Sequence, residues 1–214
     1  NLHPFAPYNI TTYDDEMISQ EYEESLHPSI ACKEDDCLVA WRNILNGGPD
    51  ATVFYRKFNI DGTSIDTLPI PIFYKNLAPS DAHPIAKNHN GNYEIFWKDY
   101  DTSMNQSLIA RWRDISSGGT AESLFNLESS DPQFLDATPA LNDSDLLAVS
   151  DQKSGDMGMN LYLYLCPHSG SVSSVKITDY DSYTELSYAK IVKIEGGQYP
   201  YAVAWLEKNS FSSN

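Results

Sequence analysis

Two cysteines flank the short acidic loop of CKEDDC, at Cys32 and Cys37, and the third cysteine of the chain is Cys166. A zinc site usually needs about four ligands in two close pairs, and no second cysteine pair exists. A redox centre would normally have the spacing C-x-x-C, which this pair lacks. Facing residues at the base of a hairpin bring their Cβ atoms near the range that a disulfide can close. The spacing therefore favours a disulfide between Cys32 and Cys37.

A disulfide of this kind indicates an oxidising compartment, so we predict a secreted or cell-surface protein. In that setting the three N-x-S/T sequons, at Asn9, Asn105 and Asn142, are predicted glycosylation sites. Cys166 has no partner left and is expected to be a buried free thiol.

Acidic pairs are the other candidate ligands. Two aspartates with one residue between them can bind calcium through their carboxylates, and such pairs occur at Asp99/Asp101, Asp143/Asp145 and Asp179/Asp181. None follows the spacing of an EF-hand, and calcium needs six to eight oxygen ligands. We therefore predict no metal ligand and no cofactor, with calcium as the alternative, and we interpret these pairs as solvated acidic loops.

Sequence signatures of common enzymes are absent. The chain contains no G-x-S-x-G, H-E-x-x-H, G-x-G-x-x-G or P-loop sequence. Its 14 basic and 30 acidic residues give a net charge of −16, which repels phosphate backbones and anionic lipid. Nucleic acid is therefore not expected as a partner. No apolar run approaches the roughly 18 residues of a spanning helix, so no membrane span is expected. Because enzyme signatures are absent, we predict a protein that is not an enzyme.

A repeat of about 54 residues organises the chain. Pro28, Pro84 and Pro139 are 56 and 55 residues apart, and Trp97 lies 56 residues after Trp41. A tryptophan recurs 108 residues further on, at Trp205. The predicted units cover residues 27–82, 83–137 and 138–186, with a split fourth unit formed by residues 187–214 and 1–26.

Each unit contains four short strand-like runs separated by turn residues. The second run is nearly all apolar, as expected for a strand that is covered on both faces, and the third is aromatic and β-branched. Four strands per unit predict an all-β fold, a β-propeller of about four four-stranded antiparallel blades. The terminal strands would close one shared blade. The alternative is that the chain is a segment of a longer array of such units.

The units resemble the tandem extracellular β-propeller repeats of large surface and adhesion proteins. The shared features are a first strand with proline, an apolar run that ends in tryptophan, and an aromatic strand followed by Asp-Gly, as in TVFYRKFNIDG. The resemblance implies a structural or adhesive extracellular module, a subunit of a surface coat, fibre or flagellar-hair-like filament. Its partners would be other protein subunits, including copies of itself, and glycans.

Two other functions remain open. In a glycan-binding propeller, loop aromatics such as Tyr100 and Tyr180 would stack on sugars. In a propeller glycoside hydrolase, carboxylates from several blades would come together, and Glu94 and Asp99, which flank Trp97, are the candidate pair.

Overall fold

Fourteen β-strands and no helix make up the described part of the computed structural model, which covers residues 24–44, 51–72, 83–114, 119–129, 132–180, 184–194 and 200–209. The strands are β1 (Glu24–Cys32), β2 (Asp36–Ile44), β3 (Ala51–Asn59), β4 (Ile70–Ile72), β5 (Ile85–His89), β6 (Asn92–Asp101), β7 (Gln106–Arg113), β8 (Thr120–Asn126), β9 (Gln133–Pro139), β10 (Ser144–Asp151), β11 (Asn160–Pro167), β12 (Ser173–Lys176), β13 (Thr184–Lys193) and β14 (Tyr201–Asn209). Within these residues there is accordingly no helix of the length and apolar character needed to cross a membrane.

The strands pair in chain order into four antiparallel sheets. Sheet A contains β1–β4, sheet B contains β5–β8 and sheet C contains β9–β12, while sheet D consists of β13 and β14. The prediction of an all-β chain built from four-stranded antiparallel units is therefore confirmed for sheets A, B and C. The strands predicted to close a shared blade from the N-terminal side fall in residues 1–23, outside the described residues.

Consecutive sheets pack face to face. One apolar cluster joins Leu38 of sheet A to Ile95 of sheet B, a second joins Phe96 of sheet B to Leu147 of sheet C, and a third joins sheet C to Ile191 of sheet D. The second strands of sheets A, B and C are buried on both faces over most of their length, and all eight residues of β10 are buried, whereas β14 of sheet D has exposed residues along one face. This serial packing of two-sided sheets is consistent with a propeller-like fold.

The third unit begins at an earlier residue than its predicted boundary. Its first strand, β9, starts at Gln133, whereas the repeat of prolines placed the unit at residues 138–186. Pro139 ends β9, while Pro132 directly precedes β9 in the way that Pro84 directly precedes β5. Proline before the first strand is thus shared by sheets B and C, whereas Pro28 lies within β1 and Pro139 lies at the end of β9.

The β1–β2 hairpin contains the disulfide. Cys32 and Cys37 face each other at the last pair of the ladder, with Cα atoms 4.0 Å apart, and their sulfur atoms are bonded. In sheet B the same place is taken by Asn88 and Tyr93, next to the two-residue turn Asn90–Gly91. Both turn residues have positive φ, 51° and 81°, which is the geometry that Asn-Gly favours in tight hairpins.

Removal of this disulfide is expected to cost about 2 kcal/mol of unfolding free energy, because it closes a loop of only about six residues and so restricts the unfolded chain modestly. The change to test is the double variant Cys32→Ser and Cys37→Ser, measured by urea unfolding without reductant. Wild-type protein unfolded in reductant is the control and should show the same loss. A loss above about 5 kcal/mol would show that the disulfide acts mainly by stabilising the packing of the native state and not by restricting the unfolded chain.

Candidate metal centre

Four side chains from sheets B and C converge at the junction of the two sheets. They are His89, Glu94, Asp145 and His168, and one nitrogen or oxygen atom of each lies within 4.8 Å of the others. His89, Glu94 and Asp145 are buried, with 4%, 1% and 0% of their surface exposed, and the side chain of His168 is 12% exposed. The cluster is therefore an enclosed polar site whose exposed side is that of His168.

Sheet B contributes its two ligands from the β5–β6 hairpin. The tight turn at Asn90–Gly91 places His89 opposite Asn92, so that Glu94, two residues further along β6, is the diagonal neighbour of His89 on the same face. Glu94 Oε2 lies 3.5 Å from His89 Nδ1. The hairpin register therefore fixes the first half of the site.

Sheet C contributes the other two residues in a similar way. Asp145 of β10 pairs with Cys166 of β11, and His168 follows two residues later on the same face. His168 Nε2 lies 3.1 Å from Asp145 Oδ2 and 3.0 Å from Glu94 Oε1. His89 Nδ1 lies 3.1 Å from Asp145 Oδ1, so each histidine contacts both carboxylates.

Two charged residues hold the cluster from outside. Arg111 of β7, only 1% exposed, donates from Nη1 to Asp145 Oδ2 at 2.7 Å and from Nη2 to Glu122 Oε1 at 2.8 Å. Asp143 Oδ1 lies 2.9 Å from His168 Nδ1, and the backbone nitrogen of His168 donates to the carbonyl of Asp143. An Nδ1 proton shared with Asp143 leaves the Nε2 lone pair of His168 facing the cluster.

Glu94 is the least satisfied member of the cluster. Its Oε2 is buried and makes no hydrogen bond. Burial and, after it, the charge of Asp145 raise the pKa of Glu94 to about 9, while Arg111 opposes the increase. Two carboxylates buried side by side repel each other when both are ionised, and a cation between them removes that repulsion.

The distances within the cluster are close to those between the ligands of a transition metal. Metal–ligand bonds of about 2.0–2.2 Å in a tetrahedron separate neighbouring ligand atoms by about 3.3–3.6 Å. The four contacts between histidine nitrogens and carboxylate oxygens are 3.0–3.5 Å and involve both oxygens of each carboxylate, while one ligand atom from each residue gives a set within 4.8 Å. Imidazole nitrogen together with carboxylate oxygen suits zinc, iron or manganese, whereas calcium requires oxygen ligands alone. The donor set therefore fits a divalent transition metal.

The sequence identified part of this site. Asp143 and Asp145 were one of the acidic pairs considered for calcium, and both lie here, one inside the cluster and one holding His168. Glu94 was a hydrolase candidate, but its proposed partner Asp99 is not in the site. The two residues are five apart on β6, which puts them about 17 Å apart on opposite faces of the strand. The carboxylate that meets Glu94 is Asp145, from the next sheet.

The remaining candidate residues lie elsewhere. The Asn105 and Asn142 side chains lie in exposed turns with positive φ, and Asn9 lies outside the described residues. Cys166 is buried without a disulfide, and burial raises its pKa to about 12. The hydroxyl groups of Tyr100 and Tyr180 donate to Asn105 and Glu207 respectively, and both rings are half-buried.

The junction of sheets B and C differs from its neighbours. Near the start of β6, Tyr93 donates through its hydroxyl to the carbonyl of Asp36 in the hairpin of sheet A. At the start of β14, the hydroxyl of Tyr201 accepts from the backbone nitrogen of Leu141 in the hairpin of sheet C. Near the start of β10 the corresponding contact is made by Asp145. The tyrosine contact that ties the other two junctions is thus replaced by the polar cluster.

Glu94 is a second departure from the repeat. It is the third residue of β6, and the third residues of β2 and β10 are Leu38 and Leu146, both buried. A leucine at this position packs without any polar requirement, so the fold does not need an acid here. The acid at this position of β6 is therefore not required by the repeat.

Comparisons with known proteins identify a structural similarity and no family. No family model matches the chain, and no curated protein matches it. Among solved structures, the chain is similar to Zg3597, a family 117 glycoside hydrolase of the marine bacterium Zobellia galactanivorans, with 11% identity and a TM-score of 0.46 over 91% of this chain and 68% of that one. At this identity and TM-score, the similarity identifies neither the residues nor the substrate of a reaction.

The prediction that the chain is not an enzyme is corrected by this finding, because the matched structure is that of a glycoside hydrolase. The enclosed cluster of four side chains was likewise not brought together from the sequence. Sequence motifs could not indicate such a site, since its residues come from two sheets and His89 and Asp145 are 56 positions apart.

Proposed function

We propose that the chain is a metal-dependent hydrolase whose centre is a divalent transition metal bound by His89, Glu94, Asp145 and His168. The observation that carries the proposal is the convergence of these four ligand atoms around a buried Glu94 oxygen without a hydrogen bond. Arg111 and Asp143 would hold Asp145 and His168 in orientation, as residues behind metal ligands do. A metal in this position lowers the pKa of a bound water and polarises a substrate oxygen.

Water and substrate would approach from the side of His168. The other three ligands are buried, and Asp143 next to His168 has a side chain that is 69% exposed. Four protein ligands leave room for a water only if the coordination expands to five, as it does during catalysis at several zinc sites. The turns around Asp143 and His168 therefore form the proposed entrance.

Glycosides are the proposed substrate class. The sequence alternative of a propeller glycoside hydrolase required carboxylates brought together from different sheets, and Glu94 and Asp145 meet that condition. The two carboxyl groups are close enough to share one metal. They are closer than the roughly 5–9.5 Å separation at which glycosidases use two carboxylates without a metal. The metal would therefore supply the nucleophilic water.

The test combines metal content with turnover. Purified chain is stripped with a chelator, reloaded with Zn²⁺, Mn²⁺ or Fe²⁺ and assayed for bound metal by mass spectrometry and for hydrolysis of a panel of glycosides. We expect about one ion per chain and turnover that requires it. Bound metal without turnover on any glycoside would contradict only the proposed substrate class. Absence of bound metal would contradict the proposed metal centre.

The setting is also proposed. The disulfide is compatible with an extracellular location. We propose that Asn105 and Asn142, on exposed turns, carry glycans there, and that the sheets form a closed propeller that assembles with other protein subunits or binds glycans. Peptide mapping of the secreted protein before and after removal of N-glycans tests the first point, and light scattering of the full chain tests assembly.

A further inference from the structure

A second polar group outside the metal cluster joins the first strands of sheets B, C and D. Asp136 of β9 is buried, and its Oδ2 accepts a hydrogen bond of 2.9 Å from the backbone nitrogen of Ile191. Its Oδ1 makes no hydrogen bond. Lys87 of β5 and Lys190 of β13 both approach this oxygen, with each Nζ 3.5 Å away.

The charges of this group do not cancel. Two ammonium groups face one carboxylate, which leaves one positive charge in a chain whose net charge is −16. A separation of 3.5 Å is longer than the roughly 2.7–2.9 Å of a charge-assisted hydrogen bond, so neither lysine has committed its donors to Asp136. The Lys190 side chain is 70% exposed and that of Lys87 is 29% exposed, so both ammonium groups are accessible from solvent.

We propose that Lys87, Asp136 and Lys190 form a binding site for an acidic sugar of the uronic acid type. The carboxylate of the sugar would accept hydrogen bonds from both lysines, which neutralises the excess positive charge. Asp136 Oδ1 is buried beside the two ammonium groups, so the lysines would turn from it to the sugar carboxylate, and a neighbouring sugar hydroxyl would then donate to Oδ1 and satisfy that buried oxygen. A simple anion offers the first contact only, and a neutral sugar only the second.

This site lies beside the proposed metal centre, and Lys87 pairs directly with Glu94 across the β5–β6 ladder. Lys87 is two residues before His89 on β5, on the same face and about 7 Å along the strand. An acidic sugar held there would place its neighbour in an oligosaccharide near the metal ligands. Because binding to the lysines needs no metal, the site can be tested in metal-free protein, where failure would not bear on the proposed hydrolase.

The experiment is a titration of metal-free, full-length chain with glucuronate, glucose and acetate, followed by NMR through the backbone amide of Ile191, which is bonded to Asp136. We expect glucuronate to shift this amide and to bind at least about tenfold more tightly than glucose or acetate, since each charge-assisted bond is worth about a factor of ten or more. Lys87→Gln should weaken glucuronate binding about tenfold, and the more exposed Lys190→Gln about threefold.

Lys193→Gln is the matched control. Lys193 is exposed on the same strand as Lys190 but, three residues away, faces the opposite side of the sheet. We expect no change in glucuronate binding in this variant. Equal binding of glucuronate, glucose and acetate, or unchanged glucuronate binding in Lys87→Gln, would overturn the proposal.

Discussion

Replacement of Glu94 by glutamine is expected to weaken zinc binding by about 100-fold or more. The substitution keeps the shape of the side chain but removes one of the two negative charges that face the ion, and changes behind the ligands already cost about 10–100-fold in other zinc sites. Competition with a chromophoric chelator measures the affinity. The free energy of unfolding of the metal-free protein should change little near pH 7, because burial raises the pKa of Glu94 to about 9 and its carboxyl is neutral there, as the amide is.

Asp99→Asn is the control for this prediction. Asp99 is also a buried acid of β6, 2% exposed, but it belongs to the other face and the other end of the strand. Its replacement should leave zinc affinity within about twofold, since a charge about 17 Å away acts weakly across a protein at moderate ionic strength. Equal losses in the two variants would show that general negative charge, and not the cluster, attracts the metal.

Replacement of Arg111 by methionine is expected to lower the free energy of unfolding by about 3–5 kcal/mol. Removal of one partner from a buried ion pair leaves the other charge without compensation, and here that charge is Asp145, which also lies beside Glu94. Urea unfolding of the metal-free protein measures the loss. Zn²⁺ should restore part of it, because the ion would take over the neutralisation of Asp145.

Arg113→Met provides the comparison, since the Arg113 side chain is 25% exposed and contacts the half-exposed Glu122 at 3.5 Å. An exposed ion pair of this kind contributes about 1 kcal/mol or less. The double variant Arg111→Met with Asp145→Asn should be more stable than Arg111→Met alone. A double variant that is less stable would show that Arg111 acts through packing of its stem rather than through its charge.

The architecture was predictable from the sequence because it follows from local patterns that recur. Runs such as Leu38–Trp41 are apolar on both faces, and turns such as Asn90–Gly91 contain Asn and Gly, so strands, hairpins and the disulfide could be placed from short segments. The boundaries between units were less predictable because more than one proline could mark the start of a unit. Pro132 and Pro139 both precede apolar runs, and only the pairing of β9 with β10 separates their roles.

The metal cluster was largely beyond prediction because its contacts join sheets rather than neighbours in the chain. His89 lies in NHNGN, which indicates a turn, and nothing local distinguishes it from an ordinary turn residue. His168 lies two residues after Cys166, and nothing local marks it as a ligand. Glu94 was the one residue that differed locally from the repeat, since a leucine fills its position in β2 and β10. The carboxylate that completes the site with it lies 51 residues further on, at Asp145.

The different junctions between sheets have a consequence for how such a protein can change. Where Tyr93 and Tyr201 reach back to the preceding hairpin, a tyrosine hydroxyl joins the two sheets beside an apolar cluster and a few further hydrogen bonds. A duplicated unit can therefore lose this tyrosine and gain acids and histidines at the same place while its neighbours continue to hold the fold. Because the unit is repeated, one interface between sheets can change while the others maintain the fold. At such an interface a new reaction can arise without a new scaffold.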